Sequence, residues 1–244
     1  MQGLYAARLA RHDLLRPVLR LAANVTTWDE QCDKKLHRLM RYIASTPKKR
    51  LVGWCGDSIS ECSPHAYADP DLAGCERTMK STTGSSLIME GPNTRFPVAG
   101  RSCRQSCTAC SSTEAELVAC HFTYKNVLIP TFEIWDAFLP EGWHSYLHGD
   151  NQAMNRVIQT GRNPTMRHLP RVHRINIAWL HERLGNPLTK DPVDIIDTST
   201  DFMAADIYTK AFNDPEKWAH AKQLINIVPI DQLHYLIDNH SLAA

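Results

Sequence analysis

The stretch CSSTEAELVAC (residues 110–120) decides how the rest of the chain is interpreted. Ser111 stands three residues before Glu114 and Thr113 three before Glu116, which is the spacing of a helix-capping box. Apolar residues then recur at about helical spacing for several turns. The stretch therefore predicts a helix whose first turn carries two carboxylates.

Further acidic residues lie at the ends of other predicted elements or inside them. Asp69 and Asp150 each end a predicted strand, and Asp206 lies in a predicted helix late in the chain. A strand that is followed by a helix projects its last residue from the carboxyl edge of the sheet, where sites usually form. Acids from four separate elements, one of them Glu114 or Glu116, predict a metal site.

Length and composition limit the class of protein. A chain of 244 residues that is 43% hydrophobic can bury a core and is most simply one domain with an appendage. No apolar run approaches the roughly 18 residues of a membrane-spanning helix. Arg8 and Arg11 interrupt the N-terminal apolar run, so no secretory signal is expected. Eight cysteines without such a signal predict reduced thiols in an intracellular protein that is neither secreted nor inserted in a membrane.

Charge is distributed unevenly along the chain. Residues 1–50 hold 11 Lys and Arg against 4 Asp and Glu, whereas the remaining residues hold 16 against 22. A basic arm on an acidic body suits a protein whose arm meets phosphate and whose body holds cations. A solvated helical face without any partner explains the basic arm equally well.

The N-terminal region, residues 1–46, is predicted to form two helices. Asp13 is placed to cap the first, and Thr27 with Glu30 has the capping-box spacing at the start of the second. Pro47 ends the second helix because the residue before a proline disfavours helical backbone.

From residue 50 onward the pattern changes to short runs separated by Gly, Pro, Ser and Asn, which is typical of an antiparallel meander. Pro130 interrupts the long helix predicted over residues 111–138, so a kink or two shorter helices are expected. Gly161 is placed to close a short helix after Asp150. The other predicted elements are strands at 51–57, 65–71, 83–90, 95–101, 144–150 and 192–199, and helices at 151–160, 170–185, 201–212 and within 213–244.

A run of arginines follows the predicted acidic site. Residues 151–181 contain five arginines and no acidic residue. Such a run suits a handle for a phosphate backbone, and an ordinary basic helix face is the alternative. The arginines are Arg156, Arg162, Arg167, Arg171 and Arg174.

Five short blocks stand in a fixed order along the chain: YADPDLAG (67–74), KSTTGSSLIMEG (80–91), CSSTEAELVA (110–119), HGDNQA (148–153) and ADIYTKAF (205–212). In order and spacing they resemble the ribonuclease H domain of copia-type (Pseudoviridae-like) retrotransposon polyproteins. The similarity spans about residues 50–212. Upstream, residues 5–18 and 34–46 are similar to the end of the reverse transcriptase that precedes this domain in the polyprotein.

The resemblance implies a ribonuclease H-like α/β fold. This fold has a mixed five-stranded sheet, its first three strands antiparallel, flanked by helices, here with an N-terminal helical extension. It divides the chain into a helical remnant of the reverse transcriptase (1–49), a ribonuclease H-like domain (50–212) and a helical C-terminal tail (213–244).

The resemblance also implies an activity and a setting. The family's endonuclease hydrolyses the RNA strand of an RNA–DNA hybrid during reverse transcription. The reverse transcriptase portion of the polyprotein is the expected partner. The expected location is the cytoplasm, within a virus-like particle, or the nucleus.

The family's catalytic, metal-binding carboxylates transfer to this sequence by position. In YADPD the first aspartate matches, with Asp71 as the alternative. In TEAEL the second glutamate is followed by the family's apolar pattern, so Glu114 is assigned to capping. The resulting tetrad is Asp69, Glu116, Asp150 and Asp206.

Carboxylate ligands indicate the cofactor. Their oxygens suit Mg²⁺ or Mn²⁺, and two such ions about 4 Å apart can activate a water and stabilise the leaving oxygen of an in-line displacement. Discrimination against DNA requires contacts to 2′-hydroxyls. Candidates for these contacts are Ser111, Ser112, Asn151 and Gln152, for which helix capping is the alternative, and candidate phosphate contacts are Arg156, Arg167, Arg171 and Arg174.

The sequence departs from the family at several points. No histidine lies between His181 and His220 to match the mobile histidine of cellular ribonucleases H, and Leu72 replaces a family tryptophan. The chain also lacks the polymerase motif Y-x-D-D, so a truncated element that cannot polymerise DNA is expected. A catalytically decayed, nucleic-acid-binding remnant is therefore the alternative function. An integrase of the same fold is a weaker one, since its acids follow a D…D…E order.

The cysteines suggest a second metal site. Cys103, Cys107 and Cys110, with His121, have a spacing that zinc ligands could use. The span crosses from a predicted strand into a helix and lacks a second cysteine pair, so free thiols are expected.

Overall fold

The computed structural model describes residues 2–75 and 77–238, so residues 239–244 of the predicted C-terminal tail lie outside it. Its strands are β1 (Lys49–Leu51), β2 (Ser63–Asp71), β3 (Thr82–Gly91), β4 (Thr94–Arg104), β5 (Ser145–Gly149), β6 (Val193–Asp197) and β7 (Ile227–Pro229). Its α-helices are α1 (Gln2–Leu9), α2 (Leu15–Ala22), α3 (Glu30–Ser45), α4 (Ser112–Thr123), α5 (Phe132–Phe138), α6 (Gln152–Thr160), α7 (Leu169–Val172), α8 (Ile177–Leu180), α9 (Pro215–Leu224) and α10 (Leu233–Asp238).

Five strands form a mixed sheet in the order β4-β3-β2-β5-β6. β2, β3 and β4 run antiparallel as a meander, and β5 and then β6 continue the sheet parallel to β2. The expected mixed sheet flanked by helices is therefore confirmed, including its three antiparallel first strands.

Each face of the sheet is covered by its own core, because successive side chains of a strand point to opposite faces. Leu87 and Leu147 face α4 and α6. On the other face, Tyr67 and Ile88 pack among residues of α2 and α9, including the buried Leu15. The N-terminal and C-terminal helices thus share one core with the sheet.

The long helix after the meander is interrupted where it was predicted to be. α4 passes into a π-helical turn at Tyr124–Leu128 and a 3₁₀ turn at Ile129–Thr131, which contains Pro130, before α5 begins. Gly161 closes α6 with a left-handed φ of 66°, as expected for a C-terminal glycine. No helix among the described residues is long and apolar enough to cross a membrane.

The N-terminal region has three α-helices rather than the predicted two. Asp29, not Thr27, caps α3 and accepts a hydrogen bond from the Cys32 amide, because the helix starts later than the predicted capping box requires. Asp13 caps no helix; it is buried and accepts a hydrogen bond from the Tyr42 hydroxyl.

The predicted strand over residues 51–57 is wrong. β1 ends at Leu51 and pairs with β7 in a separate two-stranded sheet. Beyond it, Trp54 forms an isolated bridge with Arg95 instead of a continuous strand. The C-terminal chain supplies the pairing partner, which the local pattern cannot show.

Two predicted helices are also wrong. Over residues 170–185, α7 ends before Arg174, which has a left-handed φ of 57°, and a separate α8 follows. Over residues 201–212, two short 3₁₀ turns replace the helix, and the second is Asp206–Tyr208. Apolar spacing alone does not distinguish a continuous helix from short turns packed into a core.

Candidate metal centre

Three of the four predicted acids converge at the carboxyl ends of the neighbouring strands β2 and β5. Ligand oxygens of Asp69, Glu116 and Asp150 lie within 4.8 Å of one another. Asp69 lies near the end of β2, Glu116 in the first turns of α4, and Asp150 directly after β5. Because β2 and β5 pair in parallel, their carboxyl ends lie side by side, and α4 packs across them.

Asp206 lies beside this group. Lys210 Nζ is 2.7 Å from Asp206 Oδ1 and 3.4 Å from Asp69 Oδ1. The Thr209 hydroxyl donates to Asp69 Oδ2 at 2.5 Å. Asp206 is therefore joined to the group through Lys210 and Thr209. We call Asp69, Glu116, Asp150 and Asp206 together the acidic centre.

A glycine in β3 lets the turn that carries Asp206 approach the sheet. Gly84 pairs with Asp69 across the β2–β3 ladder, and a Cβ at position 84 would lie 2.6 Å from the Ala205 carbonyl oxygen. Ser102 in β4 donates to the Tyr208 carbonyl oxygen at 2.7 Å. The turn is thus seated on the sheet by close backbone approach and by a buried hydrogen bond.

The two glutamates of the opening stretch have different surroundings. The Glu114 amide donates to Ser111 Oγ, and its carboxylate accepts from the Cys110 amide at 2.9 Å. Glu116 points to the acidic centre instead. The cap predicted at Ser111 is confirmed, with Glu114 in the first turn, whereas the second capping box, between Thr113 and Glu116, is wrong because the helix is capped by Ser111.

Two histidines fasten the arginine segment, residues 156–174, to the same helix end. His168 Nε2 and His173 Nε2 lie 3.1 and 2.7 Å from Glu114 Oε1, two positions from Glu116 in sequence. All five arginines of the segment are exposed, and none forms an ion pair with a residue that the structure describes. The segment therefore presents exposed guanidinium groups, and its two histidines tie it to the helix that carries Glu116.

The residues predicted to contact 2′-hydroxyls lie near the acidic centre, either as helix caps or on the surface. Asn151 caps α6 by accepting from the Met154 amide at 2.9 Å. Gln152 Nε2 donates to Asp197 Oδ2 at 2.8 Å. Ser112, at the start of α4, is exposed.

Asp71, the alternative to Asp69, is engaged elsewhere. Its carboxylate pairs with Arg20 of α2 at 3.1 Å and accepts from the Thr82 amide. It links the N-terminal helices to the sheet and lies outside the group of three converging acids.

Burial and mutual repulsion make three acids of the centre hard to ionise: Asp69, Glu116 and Asp206. Burial, and then the charges of Asp69 and Asp150, raise the pKa of Glu116 to about 9. Burial and Asp206 raise the pKa of Asp69 to about 7 against the opposing effect of Lys210. Burial also raises the pKa of Asp206. Buried carboxylates of this kind are stabilised in their charged form by a bound cation.

The donor set fits a hard divalent ion. Three carboxylates on separate elements, of which Asp150 is partly exposed, match the oxygen ligands that Mg²⁺ and Mn²⁺ take. Among the described residues, the three carboxylates form the group of Asp, Glu, His or Cys side chains whose ligand atoms all lie within 4.8 Å of one another.

The cysteines form no comparable cluster in the described chain. All eight are free thiols. Cys107 Sγ donates to the Val172 carbonyl oxygen at 3.1 Å, and the His121 ring packs against Trp179. The zinc alternative therefore gains no support from the geometry.

Several residues of the site are not identified by the sequence analysis. Lys210 stands four residues after Asp206, a spacing that signals a possible ion pair. His168 and His173 carry no signal that relates them to Glu114, because their contacts join segments more than 50 residues apart.

No protein-family model matches the chain, and neither a curated protein nor a solved structure matches it. The fold and the site define the class on their own. The chain is an α/β protein with a mixed five-stranded sheet and a buried carboxylate centre at one edge of that sheet.

Proposed function

We propose that this protein is a metal-dependent endonuclease of the retrotransposon ribonuclease H type, which hydrolyses the RNA strand of an RNA–DNA hybrid during reverse transcription. The observation that carries the proposal is the convergence of Asp69, Glu116 and Asp150 from three separate elements. Support also comes from the topology, an antiparallel meander followed by strands parallel to its first member.

The acidic centre would hold Mg²⁺ or Mn²⁺, two ions in the loaded complex with substrate. Bound ions lower the pKa of an attacking water and neutralise charge on the phosphate. Asp69 and Glu116 are buried and fix the ligand positions, whereas Asp150 is partly exposed and can face the scissile phosphate. Asp206 completes the set from its turn beside Asp69.

The arginine segment would position the nucleic acid. Its exposed side chains, Arg156, Arg167, Arg171 and Arg174 among them, can bind phosphates that flank the cleavage point. Ser112 and Gln152 are exposed near the centre and suit contacts to 2′-hydroxyls, whereas Ser111 and Asn151 already cap helices.

We also propose a partner and a location for this protein. The reverse transcriptase portion of the polyprotein is the proposed partner. The proposed location is intracellular, in the cytoplasm or the nucleus.

Cleavage of labelled hybrids tests the function. Wild-type protein with Mg²⁺ should cut the RNA strand of a hybrid and leave duplex DNA intact. The D150N variant should be slower by about 100-fold or more, since an ion ligand is lost. E133Q, which makes the same kind of change on the exposed face of α5, should cleave like wild type.

The exposed arginines also favour a second candidate, a nucleic-acid-binding protein without activity. That protein would bind the hybrid with a steep salt dependence. Equal absence of cleavage in wild type and D150N, with hybrid binding intact, would replace the nuclease proposal by this one.

A further inference from the structure

The Asp206 side of the acidic centre already holds a cation of the protein's own. Lys210 Nζ lies 2.7 Å from Asp206 Oδ1 and 3.4 Å from Asp69 Oδ1. The opposite side differs. Among the described residues, no basic side chain lies within ion-pair distance of Glu116 or Asp150.

We propose that Lys210 is an internal counter-cation that fills the second ion position of the acidic centre in the absence of nucleic acid. The free protein then takes one divalent ion, at Asp69, Glu116 and Asp150. A second ion binds at Asp69 and Asp206 only when the ammonium group leaves them. This inference rests on the proposed metal-dependent function and specifies how the same site is loaded.

The side chain of Lys210 is suited to such an exchange. It is 36% exposed, and its flexible four-carbon stem can carry the ammonium group to solvent or to a nearby phosphate without unfolding the turn. The backbone of that turn stays fixed through the Ser102 hydroxyl and the Tyr208 carbonyl. Substrate phosphate therefore offers Lys210 a new partner at the moment when the second ion is required.

Electrostatics explain why the lysine and the ion exclude each other. Asp69 would be shared between the two ion positions, and an ammonium group within 3.4 Å of its Oδ1 repels a divalent ion placed there. The hydroxyl of Thr209 already occupies Asp69 Oδ2. Lys210 and Thr209 thus both contact Asp69 before any ion arrives.

Counting bound Mn²⁺ tests the inference. Free Mn²⁺ is measured by electron paramagnetic resonance during titration of wild type, K210M, K210Q and K190M without nucleic acid. Lys190 is the matched control, since it forms an ion pair with Asp194 at the same four-residue spacing and is 31% exposed.

Wild type and K190M should bind one ion, whereas K210M and K210Q should bind two, the second at least about tenfold more tightly than wild type does. The double variant K210M/D206N should return to one ion, because it removes the second position. Identical counts and affinities in wild type, K210M and K210Q would overturn the inference. K210Q keeps the polar contact to Asp206 and supplies the answer if K210M does not fold.

Failure of this inference is separable from failure of the proposed function. If wild type binds one ion and cleaves hybrid while the Lys210 variants also bind one, only the role of Lys210 is wrong. If wild type binds no Mn²⁺ and does not cleave, the metal-dependent function is wrong and the counter-cation inference with it.

Discussion

Glu114 and Glu116 are two residues apart, yet their side chains serve different parts of the protein. The Glu114 carboxylate accepts a hydrogen bond from the Cys110 amide and contacts the Nε2 atoms of two histidines. Glu116 has no such partners among the described residues and faces other carboxylates, and burial and then their charges raise its pKa. The chemistry of each position follows from what surrounds it, since the side chains are identical.

The two glutamates should therefore respond differently to the same substitution. E116Q should abolish tight Mn²⁺ binding and cleavage while the fold persists, because burial already favours its uncharged form. E114Q should keep metal binding but lower the free energy of unfolding by about 1–3 kcal/mol, through lost charge-assisted hydrogen bonds. Calorimetric titration with Mn²⁺ and urea unfolding measure the two effects, and the opposite pattern of effects would contradict the roles of both glutamates.

At the scale of elements, the surroundings of the acidic centre include two segments of short turns and helices, outside the sheet and α4. The turn Asp206–Tyr208 brings the fourth acid, and the arginine segment approaches the start of α4 through His168 and His173. Neither contact is local in sequence. The sheet and α4 provide the fixed frame, and these two segments add the remaining charged groups.

The arginine segment should control the salt dependence of hybrid binding. Neutralising it as R167Q/R171Q/R174Q should flatten the slope of log affinity against log salt by about 2–3. A control, K125Q/K217Q, neutralises exposed lysines of other elements and should change the slope much less. Fluorescence anisotropy with a labelled hybrid across a salt series gives both slopes, and equal slopes in the two variants would exclude the segment as a phosphate handle.

Sequence patterns predicted the elements that local physics determines. Alternating apolar residues and turn residues located β2 to β6. Pro130 located the interruption of the long helix, and Gly161 located the end of α6. Patterns failed where distant contacts decide, as with β1, which pairs with a strand from the other end of the chain. The helix expected at Asp206 failed for the same reason, because Gly84 and Ser102 seat that segment as a turn.

At the scale of the whole molecule, the ends of the chain complete the fold around the sheet. α2 and α9 cover one sheet face, and β1 pairs with β7. Arg20 pairs with Asp71 at the end of β2, two residues from Asp69. The division of the chain at residues 49 and 212 stays a prediction. Because both ends pack against the sheet, we expect removal of either end to destabilise the acidic centre.

Stability of the metal-free protein should fall as pH rises. The pKa of Glu116 is raised from 4.5 to about 9, so within this window the folded protein holds a proton that the unfolded chain has released. The resulting stabilisation is complete below the lower value and is lost as pH rises through the higher one.

Thermal unfolding in the presence of a chelator measures this effect. The midpoint of wild type should drop by about 5 °C between about pH 5 and pH 9, and E116Q should flatten the decline. Excess Mn²⁺ should restore the wild-type midpoint at high pH, because ligand binding stabilises the folded state. A decline of equal size in wild type and E116Q would show that other groups cause it.

The position of Mn²⁺ in crystals of the protein tests the central claim most directly. Anomalous difference density should show an ion within ligand distance of Asp69, Glu116 and Asp150, and E116Q crystals under the same conditions should lack it. Strong density elsewhere, with none between these three carboxylates in the wild-type protein, would contradict the assignment of the acidic centre as a metal site and the nuclease function proposed from it.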